Sequence, residues 1–122
     1  MGKAAPDAVL DKILDEVATG TAMKVCSSEP TTYTEANATF MLATVVMAGG
    51  DFAKANDTSG RKLTMTAKSG ISITNSGNAQ HVAIVRTADT TLLYVTTCTL
   101  QALTAGGTVD VPTWKINIQD PT

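Results

Sequence analysis

From Leu63 to Ile118, apolar and polar residues alternate in five stretches separated by turn residues. The last stretch sets Trp114, Ile116 and Ile118 against Thr113, Lys115, Asn117 and Gln119. A period of two places alternate side chains on opposite faces of a strand, which suits an antiparallel sheet with one dry face and one wet face. The expected fold is therefore mainly β: an antiparallel β-sandwich of about seven or eight strands with one N-terminal amphipathic helix. Trp114, Ile116, Ile118 and Tyr94 are its expected core anchors.

Upstream, Met23 to Cys26 reads as a short strand and Ser27 to Asn37 as an extended, exposed connection around Pro30. Ala38 to Ala48 is apolar on both faces, as a central strand would be; its length and its two Met also allow a helix, but Val45, Val46 and the Thr content favour the strand. Gly49 to Gly60 reads as a polar loop whose only large apolar residue is Phe52. Ser69-Gly70 interrupts one alternating stretch, and Asn75 to Asn78 reads as a tight turn. Gln80 to Thr87 and Thr90 to Leu100 flank Ala88-Asp89 as a hairpin, and Pro112 marks a break before the final strand.

The one convincing helix is Pro6 to Ala18. Pro6 suits a first turn, Asp7 complements the helix dipole, and Leu10, Ile13, Leu14 and Val17 recur at helical spacing. Gly20 follows as a stop. Residues 1–20 thus form an arm and helix, and 21–122 the β domain, of one compact unit. The helix either covers an open end of the β domain or docks on a neighbour.

At 122 residues there is room for one core. Charged residues make up 16% of the chain, against about a quarter in ordinary domains, so much of the surface is Thr, Ser, Asn and Ala. Such a surface meets another protein without desolvating many charges. Net charge is −2, and Lys and Arg are scattered, so no basic stripe tracks a nucleic-acid backbone. No apolar run approaches the ~20 residues of a membrane span, and the first residues lack the apolar core of a signal peptide. Neither nucleic acid nor membrane is an expected partner.

Chemistry is sparse. His81 is the single histidine, set in a strand, which rules out a two-histidine centre. Cys98 as a nucleophile would need His81 as its base, yet Thr96-Thr97-Cys98-Thr99 is plain strand with nothing to lower a thiol pKa. Cys26 and Cys98 read as two reduced thiols rather than a disulfide, and their spacing is not that of a metal site. Asp51 and Asp57 share a loop without the regular carboxylate spacing of a Ca²⁺ site. There is no P-loop and no Gly-x-Ser-x-Gly elbow. Asn37-Ala38-Thr39 and Asn56-Asp57-Thr58 match the glycosylation pattern, as chance allows in a Thr-rich chain. No enzyme activity and no cofactor are expected.

Several strings carry a resemblance: Cys26-Ser27-Ser28-Glu29-Pro30, Ser59-Gly60-Arg61-Lys62, Gly77-Asn78-Ala79-Gln80-His81-Val82-Ala83, Leu93-Tyr94-Val95-Thr96-Thr97, Gln101 to Gly106, and Pro112-x-Trp114-x-Ile116-x-Ile118-x-Asp120-Pro121. Together, from about Met23 to Pro121, they resemble small virion structural proteins of tailed bacteriophages. The resemblance implies a β-sandwich made in the host cytoplasm and carried on the virion. As a capsid decoration (cement) protein it would sit on the outer lattice as a homotrimer, touching the major capsid protein and its own copies. A tail, collar or fibre-base component is the alternative, and a receptor- or glycan-binding module on the particle a third. No catalytic residue comes with the resemblance. Candidate capsid or subunit contacts are Pro6, Leu10, Ile13, Leu14 and Val17 on the helix, Glu29 and Tyr33 in the first long connection, and Phe52 in the second. A glycan platform would depend on Tyr33 or Phe52.

Overall fold

A computed structural model describes residues 7–57 and 60–118. The fold is mainly β, with antiparallel sheets and one helix near the N-terminus, as the alternation requires. Helix α1 (Asp7–Val17) precedes nine strands among the described residues: β1 (Ala22–Cys26), β2 (Met41–Val46), β3 (Phe52–Asn56), β4 (Arg61–Met65), β5 (Lys68–Ser72), β6 (Gly77–Arg86), β7 (Thr91–Leu103), β8 (Thr108–Val111) and β9 (Trp114–Ile118). They form sheets ordered β2-β1-β6-β7, β3-β4-β9 and β5-β8.

One main core joins all three sheets and the helix. Leu14 and Val17 from α1, Met23, Val25 and Ile84 from the first sheet, Leu63, Met65 and Ile116 from the second, and Ile71, Val109 and Val111 from the third pack together. Strand β4 shows how the pattern builds this: Leu63 and Met65 have no exposed surface, while Thr64 between them is half-buried. Its partner β9 is in register, Met65 opposite Trp114 and Leu63 opposite Ile116, so the apolar sets of both strands share one face. Trp114 and Ile118 are half-buried against this core, as is Tyr94, whose ring stacks on Trp114 at 6.1 Å between centroids.

The first sheet is buried on both faces near β1, where all five residues are buried. Ala22, Cys26, Ala83 and Val85 form a second, smaller cluster, covered by Ala36 and half-buried Tyr33 and Phe40. The covering segment includes a π-helical turn, Glu35–Thr39. The expected strand Ala38 to Ala48 is thus helical at its start. Nor is β2 central: it is the edge of its sheet, blunted by an Ala43–Ile73 bridge and by Thr74 and Asn75 donating backbone bonds to the Leu42 carbonyl.

The expected loop Gly49 to Gly60 instead contains a 3₁₀ turn, Gly49–Asp51, and strand β3 paired along its length with β4. Asn75 to Asn78 is not a hairpin turn, because β5 and β6 belong to different sheets. At Ser69-Gly70 the strand continues through a register shift, with Gly70 at φ 66°, a left-handed conformation that glycine adopts without strain.

Gly20 has a different reason for being glycine. Its backbone is not left-handed, but an added Cβ would sit 2.4 Å from the Ile84 Cγ2 and 3.1 Å from the Val17 carbonyl oxygen. Gly20→Ala should therefore force α1 away from β6 and cost about 1–3 kcal/mol in a urea titration. An unchanged midpoint would show that this junction has slack.

Candidate functional site

The helix is clasped to its own β domain. Leu10, Leu14 and Val17 are buried, which withdraws them from the candidate contact set: they are spent on the core. Three acidic residues of α1 are engaged as well. Asp11 accepts from the Arg61 guanidinium at 2.8 Å, Asp15 pairs with Lys54, and Glu16 accepts from Arg86 at 3.0 Å. The hydrogen bond from Arg61 holds the Asp11 carboxyl below its ordinary pKa. Removing the helix would open the main core, so the segment is a structural element and not a detachable tether. Ile13, with Val9, lies on the outer side, each about half exposed at 53%. Pro6 falls outside the described residues.

The remaining contact candidates do not converge. Glu29 is exposed on the first connection, but Tyr33 packs against the second cluster. Phe52 begins β3 and packs on the main core. With both rings half-buried in apolar contacts, no flat aromatic platform for a sugar is formed by this pair. Asp51 and Asp57 are occupied too. Asp51 accepts from the Ala48 N–H at 2.8 Å and from Lys68 at 3.0 Å, which lowers its pKa. Asp57 accepts from Lys115 at 2.6 Å and Asn117 at 3.0 Å. Among the described residues no three His, Cys, Asp or Glu side chains group as a metal site.

Both cysteines are free thiols. Strand β6 lies between β1 and β7, so the two Cα atoms are separated by two strand spacings, roughly 9–10 Å, beyond disulfide reach. Cys26 is buried, donates to the Ala36 carbonyl at 3.8 Å, and has its pKa pushed up to about 11 by burial. Cys98 is exposed, and partial burial raises its pKa as well, the opposite of activation. His81 pairs with Thr97 across β6 and β7, so Cys98, one residue on, projects to the other face. The strands are neighbours, yet no Cys98–His81 dyad forms. The buried His81 Nδ1 has no hydrogen-bond partner among the described residues.

Lys24 is the residue that sequence reasoning passed over. In Met23-Lys24-Val25 it is the polar member of an alternating strand, and alternation alone would put it in water. Instead it is only 6% exposed, lies between Thr44 and Ala83, and makes no ion pair among the described residues. Burial lowers its pKa. The unfolded chain therefore binds more protons than the folded one between the two pKa values, and this group's contribution to stability rises with pH across that window. Lys24→Met should raise the thermal midpoint at pH 7 by a few degrees, and that advantage should shrink towards pH 10 as wild-type Lys24 sheds its proton. A Met variant less stable than wild type at pH 7 would contradict this.

One concave feature of the surface is a shallow apolar groove between β7 and the β8–Pro112–β9 segment; another is a small polar hollow lined by Glu29, His81, Val95, Thr96 and Thr97. Val82, Cys98, Val111 and Pro112 line the middle of the groove. One end is bounded by Thr96, Trp114 and Lys115, the other by Gln101 and Asp110. It holds no titratable cluster suited to acid–base or nucleophilic chemistry, and it is a place for contact.

Comparison with protein-family models, with curated proteins and with solved structures finds no match.

Proposed function

We propose that this chain is a structural protein of a tailed-phage particle, a capsid decoration protein bound to the major capsid protein on the outer face of the head, and not an enzyme. The observation that carries the reading is how the chain disposes of its charge. Arg61, Arg86, Lys54, Lys68 and Lys115 are all engaged by carboxylates of the same chain. What is left for a partner among the described residues is mostly Thr, Ser, Ala and Asn, with few unpaired charges such as Lys12, Glu29 and Lys62, and with Val9, Ile13, Val46 and Leu100 standing out in solvent. Such a surface desolvates cheaply and suits repeated packing in a lattice, where many weak contacts multiplied by symmetry give tight attachment. The resemblance of the strings between Met23 and Pro121 to virion proteins supplies the particular setting.

The test is reconstitution. Purified heads lacking the protein, mixed with increasing amounts of it, should bind it to a fixed stoichiometry and become more resistant to heat. Ile13→Asp, placed on the exposed side of α1 where it leaves the core intact, should weaken that binding. Heads that never retain the protein would end the proposal.

A further inference from the structure

Residues 27–40 cover one face of the first sheet, and their hydrogen bonds run almost wholly within the segment. Its ends are closed by the Ser27 N–H donating to the Phe40 carbonyl at 2.9 Å. Inside it, the Glu35 carboxylate accepts from the Thr31 N–H at 2.8 Å and from the Thr31 hydroxyl at 2.7 Å. The Glu35 N–H donates to the Thr32 hydroxyl at 3.2 Å, and the Phe40 N–H to the Glu35 carbonyl at 2.8 Å. A segment that joins its own ends and satisfies its own polar groups is an Ω-loop. Among the described residues, one hydrogen bond ties its body to the sheet, a long one from the Cys26 thiol to the Ala36 carbonyl at 3.8 Å. The apolar hold is modest as well: Ala36 enters the second cluster, and Tyr33 and Phe40 are only half-buried against it.

What lies beneath is partly polar. Lys24 stands between Ala22 and Cys26 in β1 and so shares the side of β1 on which the second cluster lies, 6% exposed and without an ion pair among the described residues. His81, opposite Cys26 on β6, has a buried Nδ1 with no hydrogen-bond partner among the described residues, and it lines the polar hollow together with Glu29 of the segment. A buried ammonium and an orphan ring nitrogen each carry a free-energy cost that water relieves. The register between β1 and β2 also slips between Val25 and Cys26, at the foot of the segment, where a hinge is needed.

From this we infer that residues 27–40 are a lid, which lifts as a unit from β1 and β6 while the main core stays folded. The π-helical turn Glu35–Thr39 travels with it, because its bonds are internal. Closed, the lid hides a face carrying Lys24, Cys26 and His81. Open, it hydrates the Lys24 ammonium and exposes the Cys26 thiol, with Ala22, Ala83 and Val85 around them as a contact patch hidden in the closed protein. The main core lies on the other side of β1, built from Met23 and Val25, so lid and core open separately.

Maleimide labelling of the full chain, read at each cysteine by peptide mass spectrometry, is the test. Cys98, exposed on β7, should react first. Cys26 should follow without denaturant, at a rate almost flat in dilute urea, the mark of an opening that exposes little surface. Ile116→Val, which loosens the main core, should leave the Cys26 rate unchanged, whereas escape through global unfolding would become about fivefold faster. Lys24→Met removes the buried charge and should slow Cys26 labelling about tenfold. A Cys26 that reacts only as urea approaches the global transition, a rate that rises with Ile116→Val, or a rate indifferent to Lys24→Met would each overturn the lid.

Discussion

Leu63→Ala should lower the stability of the protein by about 3–4 kcal/mol, a large part of the ~5–15 kcal/mol that holds a domain of this size together. Leu63 has no exposed surface and sits on the middle strand of the β3-β4-β9 sheet, opposite Lys54 on one side and Ile116 on the other. Truncation there removes buried methyl groups and leaves a cavity between two strands already fixed by their ladders, so the walls collapse only in part. The thermal midpoint should fall by roughly 10 °C or more. Leu100→Ala, on the exposed part of β7, provides the comparison and should shift it by no more than about 2 °C. Equal shifts for the two would mean that the β4 alternation does not point into the core.

Trp114→Ala should cost about 3 kcal/mol, through loss of buried ring area and of the stack on Tyr94. Two effects oppose each other at this position. The ring contributes by burial, but its Nε1–H is buried without a hydrogen-bond partner among the described residues, and such an orphan costs about 1–3 kcal/mol. Trp114→Phe keeps most of the stack and discards the orphan, so it should lie within about 1 kcal/mol of wild type. Denaturant titration of both variants separates the terms. A Phe variant as unstable as the Ala variant would show that the indole, and not ring burial, holds β9 in place.

These positions were legible in the sequence because each strand concerned has one dry and one wet face. Strands β4 and β9 announce themselves that way, while β6 is legible as a strand from its apolar run Val82 to Val85, buried on both faces. Strand β3 does not: Phe-Ala-Lys-Ala-Asn has one large apolar residue and four exposed positions, and it is a strand because its backbone pairs with β4. The burial of Lys24 was equally hidden, since it depends on a non-local cover laid over β1 by the segment around Tyr33, Ala36 and Phe40. In α1, Val9 and Ile13 repeat at the same spacing as Leu10 and Leu14. Only the position of the sheets decides which stripe is dry, and the answer takes Leu10, Leu14 and Val17 inward and leaves Ile13 out. The groove was invisible for the same reason, because its walls come from β7 and from β8–β9 and meet only in the folded chain.

The central claim, that this is a lattice-wide structural protein of a phage head, is tested most directly by counting it. Quantitative mass spectrometry of phage particles purified from cells that express the chain gives its copy number relative to the major capsid protein. The account predicts a ratio near one, as repeated decoration of the lattice requires. A ratio nearer one in a hundred would place the chain in the tail or collar and contradict decoration, and its absence from particles would contradict the virion reading altogether.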